Sequence, residues 1–348
     1  MSRPTTFKRI VLNSRPVGDI EPDTFRTEVV QFSSLKPGHG EALVRCTWLS
    51  LDPAMRGYIR DVRSYLPPVQ IGEVMRALGL GVVIEAGPGS QFKVGDNVSG
   101  AWGMTEYAVM KDKNLDKISL PPGVVPLDFL NVLGTSGLTA YFGLKKIGEL
   151  KRGETLVVSG AAGSVGAVAC QLGKAAGAKV YAIAGSDDKC RWLEKELGVD
   201  KAFNYKSRNF YADLKKIGYL DVYFDNVGGE ILDFLLTRLK KDARIVLCGA
   251  ISAYNAPKPK GLQGYLSLIS QRAKIQGFIV MDYTSEYPAA IEELARGLSS
   301  GAIKRKFHIV EGGIEQAPVA LPMLFSGGNT GKLVVKVSEE PNSNRAKL

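Results

Sequence analysis

Histidine is almost absent, with two residues in 348, His39 and His308. Zinc sites draw on converging Cys, His and carboxylate ligands, and two distant histidines offer no such spacing. Each reads as a surface or strand-edge residue, and no metal ligand is assigned. Cysteine is also scarce: Cys46, Cys170, Cys190 and Cys248 stand far apart with no C-x-x-C pair. That excludes a disulfide framework and fits a reducing compartment. No apolar run is long enough to span a bilayer, and the opening Met1-Ser2-Arg3-Pro4-Thr5 lacks a secretory apolar core. A soluble cytoplasmic protein with no membrane partner is expected. Concentrated charge is missing too. The chain carries 45 Lys+Arg against 35 Asp+Glu, net +10, but its tightest basic groups are Lys145-Lys146, Lys215-Lys216 and Lys304-Arg305-Lys306. Such scatter favours a solvated basic surface and one polyanionic cofactor over nucleic-acid binding.

What is present is a soluble, two-domain composition: 45% hydrophobic and 23% charged residues over a length that exceeds one average domain. The first third reads as short strands between Gly/Pro turns. These are Glu41–Leu51, Leu80–Glu85 before Ala86-Gly87-Pro88-Gly89, the Phe92–Val98 turn, and Trp102–Met110 before Pro121-Pro122-Gly123. This punctuation predicts a compact β-barrel. From Pro126 strands alternate with helices: strand Thr155–Ser159, helix Val165–Ala176 closed by Gly177, strand Lys179–Ala184, helix Asp187–Leu197 closed by Gly198. Strands Val222–Asp225, Arg244–Cys248 and Lys274–Val280 follow. The alternation predicts a doubly wound parallel sheet, an α/β Rossmann nucleotide domain. After Gly301, strands Phe307–Val310 and Lys332–Val337 around a helix Ile314–Phe325 suggest a return to the first domain. The expected division is 1–125 completed by 303–348, and 126–302.

The chemistry begins at Ser159-Gly160-Ala161-Ala162-Gly163-Ser164-Val165-Gly166, between a strand and a helix. There a glycine-rich turn lets backbone approach a pyrophosphate at a helix N-terminus. Gly163 serves the close approach, Gly166 the helix–strand packing, and Val165 is a further cofactor contact. At the end of the second strand, NAD enzymes usually place a carboxylate for the ribose hydroxyls. Here stand Ala184-Gly185-Ser186, with Lys189 and Tyr205 nearby in sequence pattern, whereas Asp187 and Asp188 sit where they suit helix capping. Ser186, Lys189 and Tyr205 therefore favour a 2′-phosphate, hence NADPH.

Several stretches carry a family resemblance: Leu51–Gly57 (LDPAMRG), Gly134–Tyr141 (GTSGLTAY), Phe203–Lys206 (FNYK), Asp225–Gly229 (DNVGG), Cys248–Asn255 (CGAISAYN), Ile275–Val280 (IQGFIV) and Gly328–Lys332 (GNTGK). With the order barrel–nucleotide domain–barrel, they resemble the medium-chain dehydrogenase/reductase superfamily. Within it, they are similar to the zinc-free branch of prostaglandin reductases, plant double-bond reductases and bacterial curcumin reductase. The resemblance implies a GroES-like catalytic barrel, a homodimer, and NADPH-dependent reduction of alkenes conjugated to a carbonyl. It also implies that Thr139, Phe278 and Val280 line the nicotinamide with Asn329 close by. Lys189 and Tyr205 would hold the 2′-phosphate, with Asn226 and Cys248 as further cofactor contacts.

Hydride transfer to an electron-poor β-carbon needs a donor for the enolate oxygen that develops, and a hydroxyl suffices. Tyr254 is the first candidate and Tyr65, in Ser64–Pro68, the second; Arg56 either faces the cleft or pairs with a carboxylate. The segment Pro257–Gly264 reads as a lid over the cleft. Two alternatives remain, an NADPH quinone reductase and a non-catalytic NADPH-binding protein. The chain ends Ala346-Lys347-Leu348, close to the S-K-L peroxisomal address.

Overall fold

The computed structural model describes residues 3–340. In the first third, β1 (Thr6–Leu12) and β2 (Phe25–Gln31) form an antiparallel hairpin. Next come β3 (Glu41–Ser50), β4 (Gly79–Ala86), β5 (Asn97–Gly100), β6 (Tyr107–Lys111) and β7 (Leu115–Lys117). β3 is the spine, with eight of its ten residues buried. It pairs β4 along one edge, and its first half pairs β6 along the other. The turn into β5 rests on Gly95, at φ +94°, a conformation a side chain would strain. The strand expected over Trp102–Met110 begins only at Tyr107. Gly103 turns at φ +85°, and Met104 bonds back to Met75 and Ile10, which takes the earlier residues off the β3 edge.

The second sheet holds β8 (Thr155–Val158), β9 (Lys179–Ala184), β10 (Lys201–Asn204), β11 (Leu220–Asp225), β12 (Leu239–Leu247) and β13 (Lys274–Gly277). Every pairing is parallel and the order is β10-β9-β8-β11-β12-β13. Strands such as LVV and VYAIA are buried along their length, as expected when helices cover both faces. The helix Ser164–Ala175 lies close on β8 because its inner face is small. A Cβ on Gly173 would come within 2.5 Å of Leu156. The last strand stops at Gly277 rather than Val280, because its partner β12 ends at Leu247, the residue opposite Gly277. Val280 instead starts a short 3-10 helix and is buried in the core.

The chain then returns to the first sheet with β14 (Phe307–Val310) and β15 (Lys332–Lys336); β15 pairs the second half of β3. The helix expected over Ile314–Phe325 is two short helices, Gln316–Ala320 and Met323–Ser326. Pro322 between them lacks an N–H and crowds the turn before it. One core gathers Ile10, Val44, Leu49, Met104, Leu333 and Val335; another gathers Val158, Ala169, Val180, Phe224 and Val246. No described helix is long and apolar enough to cross a membrane.

Candidate active site

Strand order reverses between β8 and β11, which opens a crevice at their carboxyl ends. The crevice is fastened by its own polar residues. Ser159 follows β8, is fully buried, and donates its hydroxyl to Asp225 Oδ1 at 2.8 Å. The same carboxylate oxygen accepts from the Tyr223 hydroxyl at 2.7 Å and from the Val227 and Gly228 amides at 2.9 Å each. Burial pushes the Asp225 carboxyl above its ordinary range, and these donors oppose that push. Asn226 donates its side-chain amide to the Ser159 carbonyl at 2.7 Å and its backbone N–H to the Ser159 hydroxyl at 3.0 Å. The two half-sheets are thus locked where a dinucleotide would cross.

The glycine turn has the shape such a ligand requires. Gly163 caps the helix Ser164–Ala175, with Val165 in its first turn, and donates to the Gly160 carbonyl at 3.0 Å. A Cβ on Gly166 would stand 2.4 Å from the Gly160 oxygen, so only glycine lets helix and loop close. The loop is also tied to the returning chain. Gly331 N–H donates to the Ala162 carbonyl at 2.7 Å, and Asn329 Nδ2 donates to the Gly331 carbonyl at 2.9 Å. Beyond Gly331, the buried Lys332 ammonium bonds Asp52 at 2.5 Å and so fixes this segment to the first domain.

At the far end of β9, the Ser186 hydroxyl accepts from the Lys189 backbone N–H at 3.3 Å and caps the next helix. Tyr205 leans over Gly185, where a Cβ would meet its ring at 3.0 Å, and Lys206 lies 5.9 Å from the Tyr205 ring centroid. Burial, then the neighbouring Lys206, holds the Lys189 ammonium below its usual pKa. Among the described residues neither lysine has an acidic partner; Lys189 donates only to the Gly327 carbonyl, at 2.8 Å. Two unneutralised cations and a phenol in one corner suit a phosphate. The adjacent acids are occupied elsewhere, Asp187 by the Asn204 amide at 2.9 Å and Asp188 by Arg191. Lys206 escaped the sequence reading; its signal was a cation directly after Tyr205.

Across the crevice, Thr139 is half-buried on the helix Thr135–Phe142, which touches the nucleotide helix through a Ser136–Ser164 hydroxyl bond of 3.1 Å. Phe278 packs over Gly143, where a Cβ would meet its ring at 2.8 Å, and Val280 is buried beneath. Cys248 and Gly249 donate their amides to the Asp225 carbonyl, at 2.9 and 3.0 Å. Burial, with Asp225 near, pushes the Cys248 thiol up to about 12. It therefore stays a thiol at neutral pH.

Tyr254 follows a 3-10 turn beyond Cys248. Its hydroxyl accepts from the Ala250 N–H at 3.2 Å, which leaves the phenolic proton free to donate elsewhere. Burial raises its pKa above the ordinary value; the Ala250 bond works against this, while Cys248, Tyr65 and Asp225 add to it. Tyr254 is a neutral donor across the physiological range. Tyr65, in the first third of the chain, packs edge-on against Tyr58 at 6.4 Å between ring centroids. Tyr58 was not anticipated: it is largely buried, Arg76 lies 5.0 Å from its ring centroid, and burial drives its pKa well above the ordinary range. Arg56 is buried and, among the described residues, pairs with no acid; it bonds Asn255 and two carbonyls. Pro257–Lys260 is exposed, and the segment is pinned at its far end by Asp233, which accepts from the Gln263 and Gly264 amides at 2.8 and 2.9 Å. Among the described residues no group of three His, Cys, Asp or Glu is arranged to hold a metal.

The parallel sheet, the glycine turn and the basic corner define a dinucleotide-binding oxidoreductase. Residues 8–118 match the family model described as the N-terminal domain of oxidoreductase, and residues 164–296 match that described as zinc-binding dehydrogenase. The chain is 38% identical to the NADPH-dependent curcumin reductase of Escherichia coli (strain K12), over 95% of this chain and 97% of that protein. It is 35% identical to a 2-alkenal reductase (NADP(+)-dependent) of Nicotiana tabacum, over 98% and 100%. Its fold superposes on the crystal structure of CurA from Vibrio vulnificus in complex with NADPH with a TM-score of 0.90, at 38% identity, covering 95% and 99%. The chain belongs to the medium-chain dehydrogenase/reductase superfamily, in the branch of curcumin, alkenal and prostaglandin reductases. The tripeptide Ala346-Lys347-Leu348 lies outside the described residues.

Proposed function

We propose that the chain reduces the carbon–carbon double bond of α,β-unsaturated aldehydes and ketones with NADPH, without a metal. The observation that carries this reading is Tyr254, a neutral phenol whose hydroxyl accepts from the Ala250 N–H beyond the carboxyl end of β12, leaving its proton free to donate. NADPH supplies the hydride when bound. The glycine turn with Val165 takes the pyrophosphate, while Ser186, Lys189, Tyr205 and Lys206 take the 2′-phosphate. Asn226 and Cys248 line the crevice, and Thr139, Phe278, Val280 and Asn329 surround the ring. Tyr254 donates a hydrogen bond to the substrate carbonyl or the ribose hydroxyl, so negative charge developing on the enolate oxygen is stabilised. The α-carbon then takes a proton from tyrosine or water, while Tyr65 and Tyr58 shape the opposite wall. Domains are taken as 1–125 with 303–348, and 126–302, in a protein of the cytoplasm, or of peroxisomes if the C-terminal tripeptide is read. A homodimer fits the free edge of β13, beside exposed Leu266 and Ile269.

The test is NADPH oxidation against a panel of enals, enones and quinones, with and without a chelator. Chelator-insensitive turnover to the saturated carbonyl supports the reading. Turnover of quinones alone makes the chain a quinone reductase, and binding of NADPH without any turnover makes it non-catalytic.

A further inference from the structure

The loop that carries Tyr254 is tied closely to the sheet before Tyr254, and after it not again until Gln263 and Gly264. Cys248, Gly249, Ile251 and Ser252 donate their amides to carbonyls of residues 225–227, all within the nucleotide-binding half. Past Tyr254, from Pro257 to Lys260, the chain runs exposed. Between these stretches sits Asn255, and its side chain reaches the other domain. Its Oδ1 accepts from Arg56 Nε at 3.1 Å, and its Nδ2 donates to Asp19 Oδ1 at 2.8 Å.

The two contacts fix the amide in one orientation. A carboxamide has an acceptor end and a donor end. Flipped, it would turn its NH2 toward a guanidinium and its oxygen toward a carboxylate. Arg56 is itself immobile. It is 1% exposed, and Nη2 donates to the Pro16 carbonyl at 2.9 Å and the Gly18 carbonyl at 2.8 Å. Its Nη1 is buried with no partner among the described residues. Asp19 is the carboxylate that Arg56 reaches through Asn255, so the amide joins a cation to an anion. Burying a guanidinium without a direct acid is costly, and the cost is recovered only while Asn255 and the 16–18 turn stay in place.

We propose that Arg56, Asn255 and Asp19 form a latch between the domains that holds Tyr254 over the crevice, with Asn255 and Arg56 as positioning residues for the alkene reduction. The inference rests on the proposed role of Tyr254. Displacing a catalytic group by about 1 Å can cost on the order of 100-fold in rate, so the latch acts on turnover. The cofactor's charged groups are held at the glycine turn and the Lys189–Lys206 corner, which the latch does not touch.

Polarity exchange tests it. In the full-length protein, Asn255→Asp replaces the donor to Asp19 by a carboxylate and sets two acids together. Adding Asp19→Asn restores every bond, because the new amide donates to the new carboxylate, which still accepts from Arg56. Asn255→Asp is expected to lower kcat for enone reduction about ten-fold or more, with NADPH affinity unchanged, and to speed hydrogen exchange at the Ala250–Ala256 amides. The double variant is expected to return kcat and exchange to wild-type values. Asn255→Ala, lacking the clash, serves if Asn255→Asp does not fold, with the same exchange readout. Unchanged exchange and kcat in the single variants, or a double variant no better than Asn255→Asp, would overturn the latch. Exchange is read without substrate, so it reports on the latch even if no enone is turned over, a result that would sink the activity reading alone.

Discussion

The basic corner beyond β9 makes a quantitative prediction. Lys189 is half-buried and Lys206 exposed, and neither has an acidic partner among the described residues. Two unit charges about 4 Å apart interact by roughly 1 kcal/mol in water and about 4 kcal/mol in a partly buried setting. The 2′-phosphate carries more than one charge, but salt and side-chain entropy reduce the gain. Lys206→Ala is therefore expected to cost about 1 kcal/mol and Lys189→Ala about 2, or roughly five-fold and thirty-fold in NADPH affinity. NADH lacks the phosphate, so its affinity should hold or improve as the site loses its unneutralised cations. The assay is fluorescence titration of each variant with both cofactors at fixed ionic strength, repeated at higher salt. The NADPH preference should shrink with salt in the wild type and be flat in the double variant. Equal losses for NADPH and NADH would refute the reasoning, because the lysines would then be supporting the fold, Lys189 through Gly327, and not reading the phosphate.

Other expectations follow from single positions. Tyr254→Phe should lower kcat by a few kcal/mol at most, on the order of 100-fold, with NADPH affinity intact. In the wild type the donor is lost only above its raised pKa, so steady-state rates should be level through neutral pH and fall in strongly alkaline solution; a fall near pH 7 would point to another group. Gly166→Ala drives a methyl into the Gly160 oxygen at 2.4 Å, so the turn must shift. About 1–3 kcal/mol of stability should be lost, along with much of the NADPH affinity, both read by calorimetry. Asp128 is fully buried with Arg305 at 3.2 Å, yet burial pushes its carboxyl up to about 6. The folded state thus prefers the neutral acid. Its stabilising contribution is complete in acid and is lost as pH rises from about 4 to about 6, by about 3 kcal/mol. Asp128→Asn should flatten that part of the pH–stability profile, and superimposable profiles would discount it.

The parts legible in sequence were those whose signal is local. A glycine turn between an apolar strand and a small-residue helix declares itself within eight residues, and the parallel alternation around it gave the sheet. That no acid stands at the tip of β9 was readable in the same way, but the Asn204 and Arg191 side chains that occupy Asp187 and Asp188 were not. Contacts between distant residues were not readable. Nothing near Gly331 announces that its N–H meets Ala162, and nothing near Arg56 announces Asn255. The overrun of β13 has the same origin, since a strand ends where its neighbour does, and the neighbour lies elsewhere in the chain. Two misses were avoidable. Pro322 marked the break in the expected helix, and Lys206 stood beside a residue already singled out.

The central claim is that hydride reaches the β-carbon of a conjugated alkene while a tyrosine holds the carbonyl oxygen. The direct test uses NADPH deuterated at the transferring position, a simple enone, and mass and NMR analysis of the product. The expected product is a saturated ketone with deuterium at the β-carbon, formed at a rate unaffected by chelator and reduced in Tyr254→Phe. Deuterium at the carbinol carbon of an unsaturated alcohol would contradict it, because the protein would then be a carbonyl reductase.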